Sequence, residues 1–196
     1  MAWTDPNPLL FETGDILTQG NIGTYILDNL FATPHVFDFT TADLDVVNTA
    51  AETTFYTVTI PANSLSTSGS AYLETTGDAL GTAGGSHVLT TRVKFGGVTH
   101  ITHADNYVNV TARTTYSLQV RVTNQGATNA QIVDLRVQGS GGGGGLSGRV
   151  VYDILPVTAA IDTTVDQALL VTVQWAAAVA TDSVRRFSAR TLLAKN

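Results

Sequence analysis

The chain has 196 residues, enough for one well-buried domain with an appendage but not for two full domains. Only 13% of residues are charged against 43% apolar, cysteine is absent, and no apolar run approaches the ~20 residues of a membrane-spanning helix. Disulfides and thiolate metal sites are thereby excluded, and a chain so poor in charge is expected to hide much of its surface in an assembly.

The formal net charge of −6 is unevenly divided. Residues 1–53 hold eight acids (Asp5, Glu12, Asp15, Asp28, Asp38, Asp43, Asp45 and Glu52) and no Lys or Arg, a balance of −8. Residues 54–196 hold the other eight acids and all ten bases, a balance of +2. Such asymmetry assigns separate roles to the two parts. Neither part has a dense basic stripe, so nucleic acid is not an expected partner. The N-terminus lacks a basic segment followed by an apolar core, so no secretory signal is expected.

Residues 1–36 read as an arm. Its first part (Trp3, Pro6, Pro8, Leu9, Leu10, Phe11) is apolar but broken by prolines. Thr18 is placed to cap a helix over Gln19–Phe31, which sets Ile22, Tyr25, Ile26 and Leu30 on one stripe. A helix of about 12 residues is marginal in water without packing, and Gly20 and Gly23 weaken it further. An apolar stripe with no local cover is expected to dock, so Trp3, Ile22, Tyr25, Ile26 and Leu30 are the candidate docking residues. Residues 37–53 then read as a linker or an extended peripheral strand.

From Thr54 to Asn196 the pattern is all-β. Alternation places Tyr56, Val58 and Ile60 on one face of Thr54–Ile60, and Tyr72 and Leu73 lie in a strand over Ser70–Thr76. Leu89, Thr91, Val93 and Phe95 share a face of His87–Phe95, and Gly96-Gly97 leads into Val98–His103 as a hairpin. Thr115–Asn124 turns Tyr116, Leu118, Val120 and Val122 inward and Ser117, Gln119, Arg121 and Thr123 outward. Further strands run over Gln131–Gln138 (Val133, Leu135, Val137 inward), Arg149–Leu155 (Val150, Tyr152, Ile154) and Ala168–Ala176 (Leu169, Val171, Val173, Trp175). Phe187–Leu193 closes the domain with Phe187, Ala189 and Leu193 inward. About eight evenly spaced strands without helices predict a jelly-roll-like antiparallel β-sandwich over 54–196, carried behind an extended or short-helical arm. The run Gly139–Gly148 has neither the Lys-Ser/Thr ending nor the helix of a phosphate loop, and reads as a flexible connection.

Candidate chemistry is sparse. His87, His100 and His103, with His35 in the arm, are the metal-ligand candidates, but strand alternation sends His100 and His103 to opposite faces, so no metal or other cofactor is expected. Glu74, Asp78, Asp105, Asp134 and Asp153 are the carboxylates that an acid–base pair would need, yet no nucleophile elbow or other local signature accompanies them, and no enzymatic activity is expected. Asp43-Leu44-Asp45 lacks the remaining ligands of a calcium loop. The best exposed aromatic cluster is Tyr107 with Asp105, Asn106 and Asn109, placed in a loop, where it could recognise a glycan.

The N-terminal segments Ala2-Trp3-Thr4, Gly14-Asp15-Ile16-Leu17-Thr18, Asn21, Thr24-Tyr25 and Asp28-Asn29-Leu30 resemble the start of accessory virion proteins of tailed bacteriophages, of the head-fibre, tail-fibre and minor tail type. The resemblance covers about 30 residues. It implies a virion location, other phage virion proteins as partners and a homotrimer, with the sandwich projecting from the particle. The rival expectation is a receptor-binding module that recognises a host-surface glycan through Asp105, Asn106, Tyr107 and Asn109.

Overall fold

The computed structural model describes residues 35–81, 86–108, 112–140 and 149–194. The docking-arm residues Trp3, Ile22, Tyr25, Ile26 and Leu30 lie outside them, as do Asn109 and residues 141–148 of the glycine run. The described residues form eleven strands: β1 (His35–Thr40), β2 (Leu44–Val47), β3 (Thr53–Ile60), β4 (Ser70–Leu80), β5 (Ser86–Phe95), β6 (Val98–Val108), β7 (Thr114–Ala127), β8 (Ala130–Ser140), β9 (Arg149–Ala159), β10 (Gln167–Trp175) and β11 (Ser183–Ala194). Every pairing among them is antiparallel.

The strands make two sheets. The larger runs β1-β11-β4-β7-β8-β9, with β2 also on β11, and the smaller runs β3-β10-β5-β6. Without β2, β8 and β9, the chain leaves two four-stranded sheets, β1-β11-β4-β7 and β3-β10-β5-β6. In chain order these eight strands cross between sheets at every connection except β5 to β6, which is the winding of a jelly roll. The hairpin β8–β9 is an addition that widens the larger sheet beyond β7. β1 and β2 lie within residues 35–47, so the end of the stretch read as an arm and the stretch read as a linker both pair into the larger sheet.

Period-two alternation explains the core. Tyr116, Leu118, Val120 and Val122 of β7 meet Leu89, Val93 and Phe95 of β5 and Leu169, Val171, Val173 and Trp175 of β10, all buried between the sheets. Phe55 lies edge-on to Tyr116, with ring centroids 6.2 Å apart. At the β5–β6 turn Gly96 and Gly97 have φ of 58° and 79°, the left-handed pair that a two-residue hairpin needs.

Bulges break the alternation in two instructive places. Pairing of β10 with β3 slips between Val171 and Thr172, which buries both Phe55 and Tyr56. Pairing of β11 with β4 slips between Arg186 and Ser188, which turns Phe187 out: it is 41% exposed, against the expectation that it belonged to the core.

Candidate functional site

The outer face of the larger sheet carries an organised polar surface. Residues directly opposite one another on paired strands share a face, so the register assembles rows across the sheet. One row runs Val36 (β1), Leu192 (β11), Tyr72 (β4), Arg121 (β7) and Asp134 (β8). The next runs Phe39, Arg190, Glu74, Gln119 and Arg136 on the same strands. All of these side chains point away from the core, whose inward positions on the same strands are taken by Leu73, Leu118, Val120 and Leu135.

Cross-strand bonds hold the rows in place. Arg121 Nε donates to Asp134 Oδ2 at 2.8 Å, Gln119 Nε2 donates to Glu74 Oε1 at 3.1 Å, and Arg190 Nε donates to Glu74 Oε2 at 2.8 Å. Tyr72, Gln119, Arg121, Asp134 and Arg136 line a depression of about 290 Å³. Partial burial, reinforced by the Glu74 charge, raises the Tyr72 phenol above its ordinary range. At the far side β9 bulges, setting Leu155 and Pro156 against the single residue Asp134, and Leu155 stands 82% exposed.

The near side of this face is apolar. β1 is the edge strand, and on it Val36 is 56% and Phe39 59% exposed, with Phe37 half-exposed beside them. The strand is fastened from beneath by polar contacts. Asp38 points inward and accepts a hydrogen bond from the Tyr56 hydroxyl, while Arg186 lies over the Tyr56 ring, 5.7 Å from its centroid, and donates to the Phe55 and Ala42 carbonyls. β1 is thus a well-anchored edge whose exposed side chains are large and apolar.

The candidate glycan cluster is arranged differently from the expectation. Asp105, Asn106 and Tyr107 lie on strand β6, paired with Leu89, Val88 and His87 of β5, and not in a loop. Asp105 is largely buried and pairs with His103 Nε2 at 2.9 Å. The side chains of Asn106 and Tyr107, like the whole of Asn109, fall outside the described residues. The histidines go to separate partners: His87 Nδ1 meets the buried Asp182 at 2.6 Å, His100 faces the Phe95 carbonyl, and His103 pairs with Asp105.

Of the other candidate carboxylates, Asp78, Glu74 and Asp134 are engaged in structural pairs, and the side chain of Asp153 lies outside the described residues. Asp78 bridges Arg113 at 2.7 Å and Arg185 at 2.9 Å, and the Arg185 guanidinium holds its carboxyl below the usual range. Glu74 and Asp134 belong to the outer-face rows described above. Each of these carboxylates accepts from a fixed cation or amide, an arrangement that positions strands and presents hydrogen-bonding groups.

No protein-family model matches the chain, and no curated protein does. Among solved structures the chain is similar to the CBM2 module of the evolved Dit of Lactobacillus casei BL23 phage J-1, with a TM-score of 0.35 and 10% identity over 69% of this chain and 67% of that one. It is also similar to the infectious bursal disease virus structures of strain Gx (TM-score 0.29, 15% identity) and strain Gt (TM-score 0.32, 17% identity). Each of the latter matches covers 83% of this chain but only 42% of the viral chain. Likenesses this loose assign no activity to the chain.

Proposed function

We propose that the protein is a non-enzymatic structural component of a bacteriophage virion, a decoration or fibre protein fixed to the particle by its N-terminal arm and by the edge of the sandwich where that arm joins. The observation that carries this reading is the apolar edge strand. Val36, Phe37 and Phe39 stand exposed on β1, directly after residue 34, where monomeric sandwiches usually guard the edge with charge, proline or a covering segment. In the sequence, the acidic arm runs directly into that edge strand, which fits a reading in which both take part in attachment. The resemblance of residues 2–30 to accessory virion proteins supports the same assignment and adds the homotrimer, in which repeated weak contacts would give high avidity.

The test is incorporation into particles. A chain lacking Met1–Pro34 keeps every described strand and is expected to fold as the parent does, while its incorporation is lost. Phe39→Asp, which changes a side chain outside the core, is expected to keep the fold and lower copy number severalfold. Normal incorporation of the truncated chain would refute the docking role. Light scattering of the purified protein checks the trimer.

A further inference from the structure

We propose that the outer face of the larger sheet, centred on Tyr72 between β4, β7 and β8, is a binding site for an extended saccharide chain. The inference does not depend on where the protein sits in a particle. It rests on three features of the depression.

The first is the mixture of groups. A sugar offers hydroxyls that donate and accept at once, on a ring whose C–H face is apolar. Its complement is an aromatic surface flanked by planar groups of both hydrogen-bonding senses. Tyr72 supplies the aromatic surface, Arg121 and Arg136 supply donors, Asp134 supplies acceptors, and Gln119 supplies both. The Arg121–Asp134 bond is made through Nε of the guanidinium, and among the described residues its Nη donors are open to a ligand. With Glu74 and Arg190 in the adjoining row, cations and carboxylates are interspersed, and the register sets Asp153 of β9 opposite Arg136; such a mixture suits hydroxyl groups. A run of phosphates would meet Glu74 and Asp134 unfavourably.

The second is fixity. Glu74 is held from two sides, by Gln119 and Arg190, and Asp134 by Arg121, on strands whose opposite faces are buried core. The groups that would meet a ligand are therefore already ordered, which lowers the entropic cost of binding. The third is extent. From β11 to β8 the rows cross three strand spacings of about 4.8 Å, roughly 14 Å of surface, which fits an oligosaccharide lying across the strands better than a single sugar. Asp134 and Arg136 come from β8, in the hairpin that the eight-strand winding does not require, so the added hairpin completes the site.

The experiment applies the full-length protein to an array of bacterial surface polysaccharides, neutral and acidic, and measures the best binder by calorimetry. Saccharide binding is expected, weakened about tenfold or more by Tyr72→Ala and severalfold by Arg121→Ala, and nearly retained by Tyr72→Phe, which keeps the ring. Arg121 is well exposed, so its variant keeps the fold even if Tyr72→Ala loosens it. Tyr107→Ala is expected to bind as the parent does. The proposal is overturned if no saccharide binds, if Tyr72→Ala and Arg121→Ala bind undiminished, or if Tyr107→Ala abolishes binding instead. Binding only to polyanions, lost at high salt, would also overturn it.

Discussion

Tyr56 shows how much a single side chain does at the boundary between the two sheets. It rises from β3 in the smaller sheet, yet its hydroxyl reaches Asp38 on β1 and Thr191 on β11 in the larger one. Burial first, and the Asp38 carboxylate second, push its phenol up to about 12. The folded state therefore holds this proton more tightly than the unfolded chain, whose phenol titrates near 10. The stabilisation is complete below about pH 10 and is lost as the pH rises through about 12. Urea unfolding measured from neutral to strongly alkaline pH should show that decline. Tyr56→Phe, which removes the bond to Asp38 and leaves that inward carboxylate without it, is expected to cost about 1–2 kcal/mol at neutral pH and to make the alkaline decline shallower. Some slope remains in the variant because burial also raises Tyr116. A variant as stable as the parent, with an unchanged alkaline limb, would mean that the hydroxyl does not latch β1.

Between elements, β4 and β11 approach each other closely at Gly77. A Cβ added at Gly77 would lie 1.8 Å from the Arg185 carbonyl oxygen, beside the bulge at Phe187 and next to Asp78, which ties β4 to Arg185 and Arg113. Backbone rather than a flexible side chain blocks the space, so relief requires the two strands to part. Gly77→Ala is therefore expected to destabilise by about 3 kcal/mol or more, read from the shift of the denaturant midpoint. A neutral substitution would show that the bulge can slide. The same bulge marks the limit of what the sequence discloses. Alternation identifies the inward residues of β7 and β10 correctly, because regular strands keep period two throughout. It misplaces Phe187 because one extra residue resets the parity, and nothing in Arg186-Phe187-Ser188 announces it. It also marks Gln119 and Arg121 as outward, but cannot say that they lie between Glu74, Tyr72, Asp134 and Arg136. The outer-face site exists only through cross-strand register, which brings Glu74 of β4 to Gln119 of β7, 45 positions away. The cluster around Tyr107 was legible as composition, whereas its placement on a paired strand was not.

At the scale of the whole molecule, the question is whether the hairpin β8–β9, an addition to the eight-strand winding, is an independent flap or part of one cooperative unit. Two observations bind it to the rest. Val133, Leu135 and Val137 of β8 are buried in the same core as Val120 and Leu118 of β7. At its base, the buried Gln131 donates to Asn124 Oδ1 at 3.0 Å and to the Thr128 carbonyl at 3.1 Å, and accepts from the Ile161 amide at 2.9 Å. Asn124 in turn donates to Thr163 and to the Ser66 carbonyl, so the network joins the β3–β4 connection, β7, β8 and the approach to β10. Opening the hairpin alone would bare three core side chains and strand several buried amide groups, each costing about 1–3 kcal/mol. Local opening is therefore as unfavourable as a large share of global unfolding. The chain is expected to unfold in one transition. With Trp3→Phe leaving Trp175 of β10 as the sole tryptophan, its selectively excited fluorescence and the far-ultraviolet circular dichroism should report the same denaturant midpoint. The backbone amides of β8 should exchange with solvent only at the global rate. Early exchange confined to β8 and β9, with Trp175 still native, would show instead that the hairpin opens by itself and that the saccharide face is assembled only part of the time.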